Sequence, residues 1–225
     1  MEYSGFEKEE HFDRLSFYNG DCMDLLKQTP DNYYSLALVD PPYGLGNRLS
    51  DGGGKLKNTP MAELYRNKEW DVLPTKEYWV ELFRVSKNQV IFGGNYFLEH
   101  LPSTRGFVCW DKKNSMPTLS SCELIWTSFD KPAKVIRKSS IDLKRFHPTQ
   151  KPIYVYEFIL DYVSAKNNDK ILDTHLGSGS IAIAIDKANT LDKRNLSFVG
   201  IEIDKDYFDD SIKRFKNYKS QGLLF

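Results

Sequence analysis

Short apolar runs alternate with amphipathic, helix-like segments from about residue 15 to the end of the chain. Strands are predicted at residues 15–19, 35–40, 89–92, 107–110, 122–127, 170–173 and 198–203. Helices are predicted at residues 21–27, 75–87, 152–165, 180–188 and 204–219, with Asp21 and Asp204 as N-caps. This alternation predicts an α/β fold with a doubly wound, mostly parallel sheet. The strands at 107–110 and 122–127 are expected to pair near one edge, and the glycine-rich stretch 45–58 to form a loop.

Length and composition favour a single domain. The chain has 225 residues, of which 40% are hydrophobic and 28% charged, as in a globular α/β protein. No apolar run reaches the roughly 18 residues of a membrane span, and no secretory signal is visible. Cys22, Cys109 and Cys122 are odd in number and widely spaced, so neither a zinc site nor a disulfide framework is expected. We therefore expect a cytoplasmic protein in a reducing compartment, with no metal centre.

Charge is unevenly distributed, although the formal net charge is zero and provides no overall attraction to nucleic acid. Residues 131–151 contain seven basic residues and one acid, Asp142. Six of the basic residues are candidate phosphate contacts: Lys131, Lys134, Arg137, Lys138, Lys144 and Arg145. A solvated surface is the alternative interpretation of such a run.

The segment Asp40-Pro41-Pro42-Tyr43 closes a predicted strand and is the most informative motif of the chain. Ligands of open α/β sheets bind at the carboxyl edge of the strands. The prolines fix φ and remove backbone donors, so the turn presents carbonyl oxygens. A carboxylate acceptor beside an aromatic ring suits a planar substrate with an exocyclic amino group. The alternative is an ordinary turn after a strand, with Asp40 as its cap.

A second motif spans the predicted strand, turn and helix at 170–188. Gly177 and Gly179 allow the backbone to approach a ligand closely, and Ser180 opens the helix. Asp173 precedes the turn, and Glu202 lies at the end of the next strand, where a carboxylate suits the two hydroxyls of a ribose. Together these residues predict a pocket for a nucleoside-containing cofactor.

Two cofactors compete for this pocket. The spacing Gly177-x-Gly179-x-x-Ala182 formally fits the dinucleotide fingerprint, so an NAD enzyme is one alternative. Dinucleotide turns usually lie at the start of such a domain, whereas this turn is near the end, and Asp173 would bring negative charge close to a pyrophosphate. S-adenosylmethionine (AdoMet) has no phosphate and carries a cationic sulfonium, so neighbouring carboxylates favour it.

Taken in order, these motifs resemble the amino-group DNA methyltransferases in their circularly permuted β arrangement, where Asp-Pro-Pro-Tyr precedes the cofactor motif. The resemblance covers nearly the whole chain. Its further segments are Asn19-Gly20-Asp21-Cys22, Phe92-Gly93-Gly94-Asn95-Tyr96, Trp110-Asp111-Lys112, Glu123-Leu124-Ile125-Trp126 and His147-Pro148-Thr149-Gln150-Lys151-Pro152. It implies the seven-stranded sheet of AdoMet-dependent methyltransferases, with an antiparallel edge.

The resemblance also implies roles for individual residues. The implied catalytic residues are Asp40, Pro41, Pro42 and Tyr43. The implied cofactor-binding residues are Asp21, Cys22, Asp40, Lys151, Asp173, His175, Gly177, Gly179, Ser180 and Glu202. His175 departs from the family's usual Asp-Pro-Phe, and we expect it to pack or hydrogen-bond rather than to catalyse. Residues 112–146 are expected to hold a small target-recognition element within one methyltransferase domain, 1–225.

The implied reaction is methyl transfer from AdoMet to N6 of adenine, or to N4 of cytosine, in a base flipped out of double-stranded DNA. Asp40 favours adenine, since cytosine enzymes more often carry serine there. Methylation of RNA, methylation of a protein glutamine and a catalytically silent nucleic-acid-binding subunit are alternatives. Glutamine-modifying relatives usually show Asn-Pro-Pro-Tyr and the opposite motif order. The short recognition segment is in keeping with a homodimer or relaxed specificity, and no membrane partner is expected.

Overall fold

The computed structural model describes residues 2–44, 71–113, 120–139, 147 and 150–222. Within these ranges nine strands form one sheet. They are β1 (Lys8–Phe12), β2 (Leu15–Asn19), β3 (Leu36–Val39), β4 (Gln89–Ile91), β5 (Phe107–Asp111), β6 (Cys122–Thr127), β7 (Lys134–Arg137), β8 (Lys170–Asp173) and β9 (Ser197–Glu202). The loop predicted at 45–58 lies outside the described residues.

Five strands in the middle of the sheet run parallel. The spatial order is β1-β2-β9-β8-β3-β4-β6-β5-β7, and the neighbours from β2 to β4 are all parallel pairs. Strand β6 is antiparallel to both of its neighbours, and β1 is antiparallel to β2. The prediction of a mostly parallel sheet with an antiparallel edge is therefore confirmed, as is the pairing of β5 with β6.

The predicted number of seven strands was too low, because β1 and β7 were missed. Both strands lie at the outer ends of the sheet, and neither contains a fully buried residue. Strand β1 has the sequence Lys-Glu-Glu-His-Phe, and Val135 of β7 is 56% exposed. Edge strands with charged side chains lack the apolar run that marks a buried strand, so the hydrophobic pattern did not reveal them.

The helices of the described chain are α1 (Cys22–Gln28), α2 (Lys76–Val85), α3 (Ile153–Tyr162), α4 (Ser180–Leu191) and α5 (Lys205–Ser220), with a 3-10 turn at Gly94–Tyr96. The predicted N-caps are confirmed: the Asp21 carboxylate accepts from the Met23 amide, and the Asp204 carboxylate accepts from the Asp206 and Tyr207 amides. None of the described helices combines the length and the apolar composition needed to cross a bilayer.

Two hydrophobic layers cover the opposite faces of the sheet. Leu36 and Leu38 of β3 pack in the layer that contains residues of α3, α4 and α5. Ala37 and Val39 pack in the layer formed with α1 and α2. Successive residues of a strand point to opposite faces, so the continuous apolar run of β3 serves both layers. A strand buried on both faces in this way is the centre of a doubly wound sheet.

We predict that Leu38→Ala destabilises the protein by about 2–5 kcal/mol, because Leu38 is completely buried in the central strand and truncation leaves a cavity. The matched change Leu191→Ala, at the end of α4, should cost within about 0.5 kcal/mol, because Leu191 is 47% exposed. Urea unfolding of both variants measures the difference, and equal losses would contradict this assignment of the core.

Candidate active site

The carboxyl ends of the parallel strands bring residues from distant parts of the chain to one edge of the sheet. Asp40 directly follows β3, and Asp173 is the last residue of β8, the parallel neighbour of β3. Glu202 ends β9, which is parallel to β8. The proline turn and the glycine turn therefore lie side by side, as a shared substrate and cofactor cleft requires.

Lys151 lies between two carboxylates at this edge. Its ammonium contacts the Asp40 carboxylate and lies 3.2 Å from Glu123 Oε1. The Lys112 ammonium is 2.8 Å from the other oxygen of Glu123. The side chains of Lys151 and Glu123 are only 4% and 7% exposed. Asp40, Lys151, Glu123 and Lys112 thus form a row of alternating charges, which we call the carboxylate–lysine row.

The pKa values within the row follow from burial and from these contacts. Burial alone would lower the pKa of Lys151, but the carboxylates of Asp40 and Glu123 raise it above its ordinary value. Burial opposes the ionisation of Glu123, yet Lys151 and Lys112 lower its pKa. Burial raises the pKa of Asp40, and the Lys151 ammonium only partly opposes that shift. Lys151 therefore stays charged, and Asp40 is the stronger proton acceptor of the two acids.

Tyr43 is held against this row by its hydroxyl and by its ring. The hydroxyl donates to Asp40 Oδ1 at 2.7 Å, and Glu123 Oε1 is also within hydrogen-bonding distance at 3.1 Å. The ring stacks on Tyr96 with 4.7 Å between centroids and 14° between planes. It also covers Gly93, where a Cβ atom would lie 2.4 Å from the Tyr43 ring and φ is +62°. A side chain at position 93 would displace the tyrosine.

The glycine turn before α4 is bound to the carboxylate that ends β9. The Gly177 amide donates to Glu202 Oε2 at 2.7 Å, and the Asp204 amide donates to Oε1 at 3.0 Å. Gly177 and Gly179 have φ of +52° and +68°, in the left-handed region that glycine adopts without strain. These bonds fix the turn before any ligand arrives.

Asp173 and Glu202 are buried acids that form no salt bridge within the described residues, although the charge of Lys151 acts weakly on Asp173. Burial raises the pKa of Asp173 to about 8, although the His175 amide, which donates to Asp173 Oδ1 at 3.0 Å, opposes the shift. Burial likewise raises the pKa of Glu202 to about 7. The Oδ1 atom of Asn19 is buried nearby, without a hydrogen-bond partner among the described residues, while its amide nitrogen donates to the Glu202 carbonyl. This part of the site suits a ligand with positive charge and hydrogen-bond donors.

His175 makes a hydrogen bond and a ring contact within the protein. Its Nδ1 lies 2.9 Å from Thr174 Oγ1, and its ring packs edge-on against Tyr78 at 5.5 Å. Burial lowers the pKa of His175 to about 4, so the ring is neutral. Cys22 is also inert, since burial raises the pKa of its thiol to about 12. Ser180 bonds to Ser178, 3.1 Å away, inside the glycine turn.

The basic segment is divided between the two edges of the sheet. Arg137 ends β7 on the same edge as Asp40, because β7 is parallel to β5 and β6 is antiparallel to both β4 and β5. Its side chain is 74% exposed, and Lys138 follows it. Lys134 begins β7 at the opposite edge. Lys131 is committed to internal contacts, since its ammonium donates to the Tyr162 carbonyl at 2.7 Å. Lys144 and Arg145 lie outside the described residues.

Comparison with known proteins agrees with this geometry. A sequence model of the N6/N4 family, described as DNA methylase, matches residues 108–213. Type II methyltransferase M2.LlaDCHI of Lactococcus lactis subsp. cremoris is 26% identical, over 91% of this chain and 90% of its own length. Type II methyltransferase M2.MboI of Moraxella bovis is 25% identical, over 93% of this chain and 90% of its own length. The chain is thus similar to N6/N4 DNA methylases over residues 108–213, and to Type II methyltransferases over nine-tenths of its length.

Solved structures share the fold of this chain. The PvuII DNA methyltransferase, which is cytosine-N4-specific, superposes with a TM-score of 0.64 at 14% identity, over 96% of this chain and 94% of its own. A complex of M1.HpyAVI with SAM superposes with a TM-score of 0.55 at 21% identity, over 89% of this chain and 99% of its own.

Three residues that contact the predicted site lie in segments of the resemblance but were not assigned to the site from the sequence: Glu123, Lys112 and Tyr96. The alternation of inward and outward residues along β6 indicated that Glu123 is buried, because it occupies the same face as the buried Ile125. A charged residue at an inward position is rarely buried without a partner. Which partner it has depends on how β6 is placed in the sheet, and the sequence does not encode that locally.

We predict that the ligand-free protein loses stability as the pH rises from about 4 to 8. In this window the folded protein retains a proton on Asp173, whose pKa is about 8, while the unfolded chain has released it. One retained proton changes the unfolding free energy by up to about 1.4 kcal/mol per pH unit. Asp173→Asn should flatten this slope and raise stability at pH 8.

Urea unfolding at several pH values measures the slope. The exposed change Asp210→Asn, on α5, is the control and should retain the wild-type slope. A wild-type slope in Asp173→Asn would show that this carboxyl is ionised in the folded protein at neutral pH.

Proposed function

We propose that this protein transfers the methyl group of AdoMet to an exocyclic amino group of a base in double-stranded DNA, and that the amino group is N6 of adenine. The observation that carries the proposal is the position of Asp40 and the Gly177 turn at the ends of neighbouring parallel strands. The Type II methyltransferases to which the chain is similar support DNA as the substrate. Aspartate at position 40 favours adenine over cytosine. We also propose that the protein is cytoplasmic and forms a homodimer.

The residues at the glycine turn fit AdoMet better than a dinucleotide. Burial raises the pKa values of the two acids, so a cationic ligand would favour their ionisation, whereas a pyrophosphate would oppose it. Asp173 and the glycine turn would hold the methionine end, Glu202 the ribose, and the Asn19–Cys22 segment the adenine. When bound, AdoMet would supply an electrophilic methyl group on a positively charged sulfur.

Asp40 and Pro41 would orient the target amino group. A carboxylate and a carbonyl that both accept its N–H bonds favour a pyramidal nitrogen, whose lone pair can then attack the methyl carbon. Holding nitrogen and carbon in line can contribute about 7–11 kcal/mol, so positioning dominates the rate. The methylated nitrogen is acidic until it loses its proton, so a strong base is unnecessary.

Tyr43 would present its ring to the flipped base. Stacking on an aromatic ring is worth about 1–3 kcal/mol, and extruding a base from a duplex costs a few kcal/mol, so the stack offsets much of that cost. The Tyr43 hydroxyl already donates to Asp40 Oδ1. The target amino group must therefore compete with this hydroxyl for the carboxylate.

Tritiated AdoMet with unmethylated duplex DNA, followed by nucleoside mass spectrometry, tests the proposal. Label in N6-methyladenine supports it, and label in N4-methylcytosine would correct the target base. RNA supplied in competition distinguishes the two polynucleotides. Binding of AdoMet without transfer to any polynucleotide would point instead to a silent nucleic-acid-binding subunit.

We predict that Asp40→Ala abolishes methyl transfer while AdoMet still binds. Loss of one electrostatic contact to the reacting group typically lowers kcat by about 10²–10³-fold. Asp130→Ala removes an aspartate that is 84% exposed and should leave the rate unchanged. Filter-binding rates and calorimetry with AdoMet measure the two properties, and a wild-type rate in Asp40→Ala would refute the proposed mechanism.

We predict that the double change Arg137→Gln and Lys138→Gln weakens DNA binding and reduces its salt dependence. Each lost phosphate contact should reduce the slope of log K against log salt by about 0.9. Lys131→Gln removes a charge of the same segment at the opposite edge and should leave the slope unchanged. Fluorescence anisotropy at several salt concentrations measures both, and identical slopes in the double variant and the wild type would exclude these residues from the phosphate contacts.

A further inference from the structure

Glu123 is a buried carboxylate whose contacts all lie at the proposed active site. Glu123 is the second residue of β6 and its side chain is buried. Its Oε1 atom lies 3.2 Å from the Lys151 ammonium and 3.1 Å from the Tyr43 hydroxyl. Its Oε2 atom lies 2.8 Å from the Lys112 ammonium. Glu123 thus contacts Lys151 and Tyr43, the two side chains that also contact Asp40.

A role in stability alone does not explain this arrangement. Burying an ion pair brings little or no net stability compared with apolar residues of the same volume. The next residue on the same face of β6, Ile125, is apolar and completely buried. The Glu123 carboxylate lies where β6 reaches the active site, so it acts on Lys151 and Tyr43.

We propose that Glu123 is a positioning residue for methyl transfer, which shares the Lys151 ammonium with Asp40 and accepts the Tyr43 hydroxyl when the target amino group takes its place on Asp40. This role rests on the proposed function. Tyr43 can donate only one hydrogen bond, and its two acceptors differ by 0.4 Å, from 2.7 Å to Asp40 and 3.1 Å to Glu123. The hydroxyl can therefore turn from one carboxylate to the other without being left unpaired in a buried place.

The sharing of Lys151 has a second consequence for Asp40. Without a negative charge at position 123, the Lys151 ammonium would be held by Asp40 alone and would compete with the target amino group. Glu123 draws part of that positive charge away, which leaves Asp40 a better acceptor. Lys112 limits the effect, because it neutralises Glu123 from the other side.

The groups that face Asp40 come from every element around it. Lys151 precedes α3, Glu123 belongs to β6 and Tyr43 to the proline turn. Asp173 belongs to β8, and the charge of Asp40 also raises the pKa of Tyr156 on α3. Among these, burial and Glu123 raise the pKa of Asp40, and Lys151 and Tyr43 lower it. Removal of the charge on Glu123 should consequently lower the pKa of Asp40.

The test compares Glu123→Gln with Lys112→Gln. Glu123→Gln should lower kcat on the order of 100-fold, as a misplaced reacting group does, with little change in KM for DNA or in AdoMet binding. In this variant, the acidic limb of the profile of kcat/KM against pH should move to lower pH. Lys112→Gln frees Glu123 to attract Lys151 more strongly, so its acidic limb should move to higher pH. Glu157→Gln, which also removes a lysine-paired glutamate but on α3, is the control for both.

Opposite displacements of the two limbs, with partial recovery of kcat in Glu123→Asp, support the role. An unchanged kcat and pH profile in Glu123→Gln, with active wild-type protein, overturns it while leaving the proposed function intact. Displacement of both limbs in the same direction also overturns it, since a general loss of structure would act alike in the two variants. A wild-type protein that methylates no polynucleotide overturns the proposed function and this role together.

Discussion

The parallel alignment of five central strands is the constraint on which the site depends. Parallel neighbours place their carboxyl ends at one edge, so Asp40, Asp173 and Glu202 converge although 162 positions separate the first from the last. Strand β6 pairs with β4 and runs in the opposite direction. Its beginning, which contains Glu123, therefore lies at the same edge. One antiparallel strand thus adds a carboxylate that a fully parallel sheet would have placed on the other side.

The buried carboxyl groups in the two halves of this edge have different partners. Around Asp40 and Glu123 the protein supplies its own cations, Lys151 and Lys112, and the carboxylate–lysine row is balanced within the chain. At the glycine turn the acids accept hydrogen bonds from backbone amides of the described chain, and burial raises their pKa values. The first half is therefore organised before binding, whereas the second half gains most from a ligand that carries positive charge.

The similarity to N6/N4 DNA methylases and the geometry of the site independently support the same function. The sequence similarity covers the whole region of the motifs, whereas the solved structures contribute the fold alone. The positions of Tyr43 and Glu123 add a mechanistic element that similarity does not provide. An aromatic hydroxyl with two carboxylates in reach can release one of them to a substrate at small cost.

The fold class, the order of most elements and the two main motifs can be predicted from local sequence, because apolar periodicity, caps and turn residues act within a few positions. Asp40, Gly177 and Glu202 could be assigned in advance because each follows a strong strand pattern. The edge strands β1 and β7 could not, since charged residues at a sheet's margin show no apolar run. The contacts of Glu123 with Lys151 and Tyr43, and the positions of Lys131 and Arg137 at opposite edges, follow from the three-dimensional arrangement. Such contacts depend on strand order and direction, which residues distant in the chain settle together through packing.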